Sequence, residues 1–191
     1  MAKVMVAPQP LIGATPTVLV GSVVDEKPNF MAVAWCGVAN SSPPMVTVSI
    51  RAQRYTFRGI IKSREFSINV PSIDQVKEVD YCGMSSGARV DKIAVCGFKI
   101  FFGNLKNAPL IEQCPVNLAC KVEQIIELGT HQLVIGRVEE THVTSTCLND
   151  GRPNFSLLKP IIYAAGVPSE YYAFGESIGR AFSIGKALEK K

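Results

Sequence analysis

The sequence predicts a mainly β chain organised as a closed or partly closed β-barrel with a few helical insertions. Several segments are rich in β-branched residues or alternate apolar and polar side chains, the mark of half-buried strands. Helical spacing occurs only in short stretches, without the regular strand–helix alternation of a parallel sheet. Of the 191 residues, 47% are apolar and 19% charged, enough apolar surface to bury a core and too much for extended disorder.

Thr17-Val-Leu-Val-Gly-Ser-Val-Val24 and Asn29-Phe-Met-Ala-Val-Ala-Trp-Cys-Gly-Val-Ala39 read as the first two strands. The turn residues of Asp25-Glu-Lys-Pro-Asn29 lie between them, which predicts a hairpin. Ser41-Ser-Pro-Pro44 breaks the chain before a third strand, Met45-Val-Thr-Val-Ser-Ile50. The period then changes: Phe57, Ile60 and Ile61 fall at helical spacing, predicting a short helix over 54–64. Glu65-Phe-Ser-Ile-Asn-Val70 alternates as a strand and stops at Pro71. Ser72 and Gln75 make a capping-box pattern for a helix over 72–79.

Residues 82–110 read as loops with one strand at Phe98-Lys-Ile-Phe-Phe102 and a short helix at 89–95. Two long strands follow, over 116–126 and 131–143; in the first, Val116, Leu118, Cys120 and Val122 share a face. Pro160-Ile-Ile-Tyr163 is a last strand. The tail 175–191 is expected to form a helix carrying Ile178, Phe182, Ile184 and Leu188, weakened by Gly179 and Gly185. No repeat, low-complexity tract or linker interrupts the chain, so one domain over 1–191 is expected.

Composition narrows the function classes. No stretch reaches the roughly 18 uncharged apolar residues of a membrane span, and the N-terminus has no apolar core of a secretory signal. A cytoplasmic protein without a membrane partner is the expectation. The net charge of +4 is spread out, apart from Arg51-Ala-Gln-Arg54-Tyr-Thr-Phe-Arg58 and Lys190-Lys191, so no broad stripe for nucleic acid exists. The six cysteines show no C-x-x-C spacing and only His131 and His142 accompany them. They read as small buried hydrophobes, and no metal site is expected.

The arginine-rich segment offers the sharpest chemistry. A strand ends at Arg51 and a helix begins near Tyr55 or Thr56, where unpaired N–H groups and the positive end of the helix dipole suit a phosphate. Arg51, Arg54, Arg58 and the Thr56 hydroxyl surround that turn, and Arg meets phosphate with paired hydrogen bonds. A solvated helix start with surface arginines explains the same residues equally well. Trp35, the one tryptophan, has small neighbours where a flat ligand could approach, although an ordinary core aromatic is the simpler reading. His131 opens a strand after a glycine turn, an exposed position as readily as a functional one. Lys92 reads as a surface cation paired with Asp91, and Tyr163, Tyr171 and Tyr172 serve stacking or barrel packing alike. No G-x-G-x-x-G, P-loop or G-x-S-x-G motif is present, and no nucleophile–base set stands out.

Taken in order, Asn29-Phe-Met-Ala-Val-Ala-Trp35, Ser42-Pro-Pro-Met-Val-Thr-Val-Ser-Ile-Arg51, Arg54-Tyr-Thr-Phe57 and Glu65-Phe-Ser-Ile-Asn-Val70 resemble the flavin reductase-like, FMN-binding split-barrel family. Asp80-Tyr-Cys-Gly83, Ser86-Gly87 and Asp91-Lys92 resemble its flavoredoxin branch. Gly129-Thr-His131, Gly136-Arg-Val138 and Phe182-Ser-Ile-Gly-Lys186 extend the likeness over roughly 10–187. The resemblance implies a Greek-key split β-barrel that forms a homodimer and holds FMN non-covalently near the dimer interface. It places Asn29, Ala32 and Trp35 along the flavin, Cys36 near the ring, and Arg51, Arg54 and Thr56 at the phosphate or ribityl end. Lys92 and His131 take positions where the family sets polar groups at the flavin, and Tyr163 supplies the aromatic of the last strand.

The implied function is an FMN-dependent oxidoreductase of flavoredoxin type, exchanging electrons with a redox protein or a small-molecule donor or acceptor. An NAD(P)H:flavin reductase is the alternative within the family, with NAD(P)H as electron donor. A non-catalytic barrel that binds a phosphorylated ligand is the alternative from another class.

Overall fold

A computed structural model describes residues 1–189. Seven strands form one antiparallel sheet: β1 (Val18–Val24), β2 (Lys27–Val33), β3 (Cys36–Ser41), β4 (Pro44–Ile50), β5 (Glu65–Val70), β6 (Val116–Glu127) and β7 (Gln132–Val143). Their order is β2-β1-β5-β6-β7-β4-β3. The edge strands β2 and β3 are consecutive in the chain, separated only by Ala34 and Trp35. A two-residue link between opposite edges curls the sheet into a barrel. The strand expected over 29–39 is therefore two strands and a corner, fixed where the Ser49 N–H donates to the Trp35 carbonyl at 2.9 Å. The β1–β2 hairpin turns through Asp25 and Glu26, both in the left-handed region, as its two-residue turn demands.

Alternation along the strands sorts the core into two layers. Val18, Val20, Met31, Val48, Phe66 and Ile68 fill the barrel, plugged by Phe57 and Ile60 from helix α1 (Tyr55–Ser63). Leu19 and Phe30 point the other way, under α2 (Val76–Met84) and α3 (Lys92–Cys96), with Val79, Cys82, Ile111 and Ile161. Because β1 is covered on both faces, its sequence is apolar on both, interrupted only by the small Ser22, whose hydroxyl donates to the Glu65 carbonyl. Gln75 Oε1 accepts from the Ser72 N–H at 3.1 Å, one arm of the expected capping box.

Other elements differ from expectation. The strand at 98–102 shrinks to Ile100–Phe101, paired with Leu110–Ile111. The last strand, Ile161–Ala164, lies between Thr15–Pro16 and an unexpected strand, Glu170–Ala173, in a separate three-stranded sheet. The tail helix is absent: only Ile184–Leu188 forms a 3-10 turn, and Ile178, Phe182, Ile184 and Leu188 are exposed. Three glycines in the segment and no packed face leave helix formation without compensation. Lys190 and Lys191, the end of that expected helix, lie outside the described residues. No helix among the described residues is long and apolar enough to cross a membrane. All six thiols are free; Cys82, Cys114, Cys120 and Cys147 are buried, Cys36 and Cys96 half-buried.

Helix α1 lies so close to β1 that a Cβ on Gly59 would collide with the Val23 carbonyl. In an unpacked helix Gly→Ala stabilises by about 1 kcal/mol. Gly59→Ala is expected instead to destabilise by about 1–3 kcal/mol through overpacking. Gly175→Ala, with open space around it, should be near neutral. Urea unfolding of the two variants checks the sign.

Candidate functional site

Two adjoining cavities share Met31, Arg51 and Arg54. Barrel closure sets them side by side: the end of β4 leads through Arg51 into α1, while the Ala34–Trp35 corner and the residue before β7, His131, form the neighbouring rim.

The smaller cavity, about 220 Å³, is lined by Asn29, Arg51, Arg54, Thr56, Gly87 and Lys92 among others, and no carboxylate among the described residues lines it. Helix α1 begins there with no side-chain cap and no acidic residue in its first turn, so its leading N–H groups and dipole carry uncompensated positive charge. Arg54 is steadied by donating from Nη1 to the Gly83 carbonyl at 3.0 Å. Thr56 is buried and accepts from Asn29 Nδ2 at 2.7 Å. The loop after α2 comes so near that a side chain at position 87 would strike the Asn29 amide, hence Gly87.

Lys92 is the unexpected member. It is only 3% exposed, and its Nζ donates to the carbonyls of Phe30 and Cys82, each at 2.8 Å. Asp91 does not pair with it but caps α3, accepting from the N–H groups of Ile93 at 3.0 Å and Ala94 at 3.1 Å. Burial pushes the Lys92 pKa down, and the Arg54 charge works in the same direction. An anion in the cavity would relieve both penalties.

The larger cavity, about 430 Å³, has aromatic walls: Trp35 and His131 on one side, Tyr163 and Tyr171 on the other. Trp35 is 47% exposed, so it is no core aromatic; its ring lies 4.5 Å from that of His131, tilted by 32°. Burial and then Arg51 push the His131 pKa down, favouring the neutral imidazole, and Nδ1 lies 2.9 Å from Thr130 Oγ1. Tyr163 and Tyr171 face each other with ring centres 5.8 Å apart. Tyr171 donates to Asp80 Oδ1 at 3.0 Å; burial and that bond raise its pKa to about 12, keeping the phenol protonated. Thr17, also in the lining, is 3% exposed, and its Oγ1 has no hydrogen-bond partner.

Of the residues singled out from the sequence, Asn29, Arg51, Arg54, Thr56 and Lys92 meet in the basic cavity, and Ala32, Trp35, His131 and Tyr163 in the aromatic one. Cys36 does not join them. It packs against the barrel interior, and burial pushes its thiol up to about 12. Arg58 also turns away, 3.9 Å from Asp25 and over the Tyr55 ring. His142 lies beside Glu140 and Phe101, outside both cavities. Thr17 and Met31 escaped the sequence reading. A hydroxyl heading an apolar strand is the one signal that marks Thr17.

Residues 13–167 match the family described as Flavin reductase like domain. The chain belongs to that family. Among solved structures it is similar to flavoredoxin from Methanosarcina acetivorans, with TM-score 0.93 and 33% identity, covering 98% of this chain and 100% of the other. It is similar also to flavoredoxin of Desulfovibrio vulgaris (Miyazaki F), with TM-score 0.89 and 37% identity over 96% and 100% of the two chains. An uncharacterized protein of Pyrococcus abyssi is 30% identical over 86% of this chain and 93% of its own. The barrel is thus the flavin reductase-like split barrel.

Thr56→Val would leave the buried Asn29 amide without its acceptor, and a loss of about 1–3 kcal/mol is expected. Thr56→Ser should recover most of it. Urea denaturation without added ligand reads both.

Proposed function

We propose that this chain is an oxidoreductase of flavoredoxin type that holds FMN non-covalently across the two cavities and passes electrons through it. The observation that carries the reading is a basic, carboxylate-free cavity at a helix start, opening into an aromatic one. The residues fit the group. Arg51, Arg54, the first-turn N–H groups of α1 and the Lys92 ammonium match a phosphate, and the orphan Thr17 Oγ1 offers a hydrogen bond where the walls suit a flat ring.

FMN, when bound, supplies a ring that takes up and gives back one or two electrons. The chain's own groups position and tune. Asn29 and Thr56 hold each other and set the floor of the basic cavity. Trp35, Ala32, Tyr163 and Tyr171 shape a slot for a flat ring. Arg51 and Lys92 place positive charge beside the site and so favour the more negative, reduced state. Neutral His131, with Nδ1 engaged by Thr130, keeps Nε2 available to give or take a proton.

The description of the matching family supports a second reading, in which NAD(P)H reduces the flavin and the product is handed to a partner. A homodimer is part of the proposal: Leu11, Ile12, Phe174, Ile178 and Phe182 are exposed on the two chain arms, apolar surface a second copy would cover.

An absorption spectrum of the desalted protein, repeated anaerobically with NADH and NADPH, tests these readings. A retained two-band flavin spectrum that bleaches only with dithionite supports the electron carrier. Prompt bleaching by either nucleotide favours the reductase. No colour, and none after adding FMN, overturns the flavin reading in favour of a barrel for another phosphorylated ligand. Arg51→Ala and Arg54→Ala are each expected to weaken FMN binding about tenfold or more, the loss of a charged hydrogen bond. Lys92→Met and His131→Ala should shift the midpoint potential in a spectroelectrochemical titration; if both leave it unchanged, neither residue tunes the ring.

A further inference from the structure

The basic cavity takes Ser85, Ser86 and Gly87 from the loop 85–91 that joins α2 to α3, and Lys92 from the first position of α3. A cysteine stands at each end. Cys82 lies in the last turn of α2 and is fully buried; Cys96 ends α3 and is half-buried. Both pack into the layer outside the barrel. The Cys96 thiol points back at α2, with Sγ 4.0 Å from the Glu78 carbonyl, one turn ahead of Cys82. Both thiols thus belong to one buried cluster at this turn of α2, and each shifts the other's titration. Lys92 couples the pair to the cavity. It sits one turn before Cys96 on α3, and its Nζ is bonded to the carbonyl of Cys82 itself.

We propose that Cys82 and Cys96 form a reversible disulfide that locks the 85–91 loop, between α2 and α3, around the basic cavity. A low-molecular-weight disulfide such as glutathione disulfide serves as oxidant. The more exposed Cys96 loses its proton and attacks one sulfur, forming a mixed disulfide as the first glutathione leaves as a thiol. Cys82 then loses its proton and attacks the Cys96 sulfur; the protein S–S bond forms and the second glutathione leaves as a thiol. Two electrons and two protons pass from the protein to the oxidant. Burial raises the Cys82 pKa to about 12, opposed by the Lys92 charge, so exchange is slow and favours alkaline pH. Cys114 packs in the same cluster but lies outside the loop, and a bond to it would lock nothing at the cavity.

The effect on ligand retention rests on the FMN reading; the pairing does not. The protein is incubated at pH 8 with excess glutathione disulfide or with a phosphine reductant, then mapped by non-reducing peptide mass spectrometry. A Cys82–Cys96 peptide is expected, with a thermal midpoint raised by roughly 5 °C. FMN release should slow about fivefold, as expected when a loop is fixed in its binding conformation. Dithiothreitol should reverse all three. Cys96→Ser should abolish the response while retaining FMN, and Cys114→Ser should preserve it. A Cys82–Cys114 bond, persistent glutathione adducts or untouched thiols overturn the pairing. A Cys82–Cys96 bond with unchanged FMN release overturns the lock. A protein that binds no FMN in either state fails the functional reading instead, and mapping with the thermal midpoint still decides the pairing.

Discussion

Everything in this fold hangs on the two-residue link between β2 and β3. These strands sit at opposite edges of a seven-stranded antiparallel sheet, and Ala34 and Trp35 alone join them. Such a link cannot span an open sheet, so the corner draws the two edges toward each other and curls the sheet into a barrel. The same corner turns Trp35 out of the core to the rim. There it faces His131, and the neighbouring end of β4 delivers Arg51 to the start of α1. Closing the barrel and assembling the site are one geometric event.

The electrostatics of the site are asymmetric. At its basic end Arg51, Arg54, Lys92 and the positive end of a nine-residue helix converge without a carboxylate among the lining residues. Lys92 is the costliest of them, because an ammonium removed from water must be repaid by its partners, and among the described residues it has two carbonyls and no counter-ion. That imbalance favours an anion at this point. At the other end the walls are aromatic and small, His131 is held neutral, and one buried hydroxyl has no partner. A ligand with one charged end and one flat end satisfies both halves.

Much of this was readable from the residues. Strand alternation in 65–70 and 116–126, the capping box at Ser72 and the helical spacing after Arg51 all express local preferences that the tertiary structure keeps. The misreadings share a cause: each depends on contacts distant in sequence. The segment 29–39 has no local signal for a corner, since the corner exists to close the barrel. Lys92 reads as a surface cation beside Asp91, but Asp91 is spent on capping α3 and Phe30, 62 residues away, claims the ammonium. Cys36 follows Trp35 directly, yet it opens β3 and packs against the barrel interior while Trp35, in the corner, stays at the rim. The tail pattern at 175–191 had helical spacing but no face to pack against.

The central claim is that one ligand spans both cavities, its phosphate in the basic one and its ring beside Trp35. Because the chain has a single tryptophan, fluorescence titration tests this directly, with FMN compared against riboflavin, the same ring without the phosphate. The account predicts that FMN quenches Trp35 emission at one equivalent per chain, and that riboflavin gives the same final quenching only at concentrations at least tenfold higher, the phosphate's charged hydrogen bonds being lost. Equal affinity for the two would place the phosphate outside the basic cavity. Binding of FMN without quenching would place the ring away from Trp35, and either result would contradict the account.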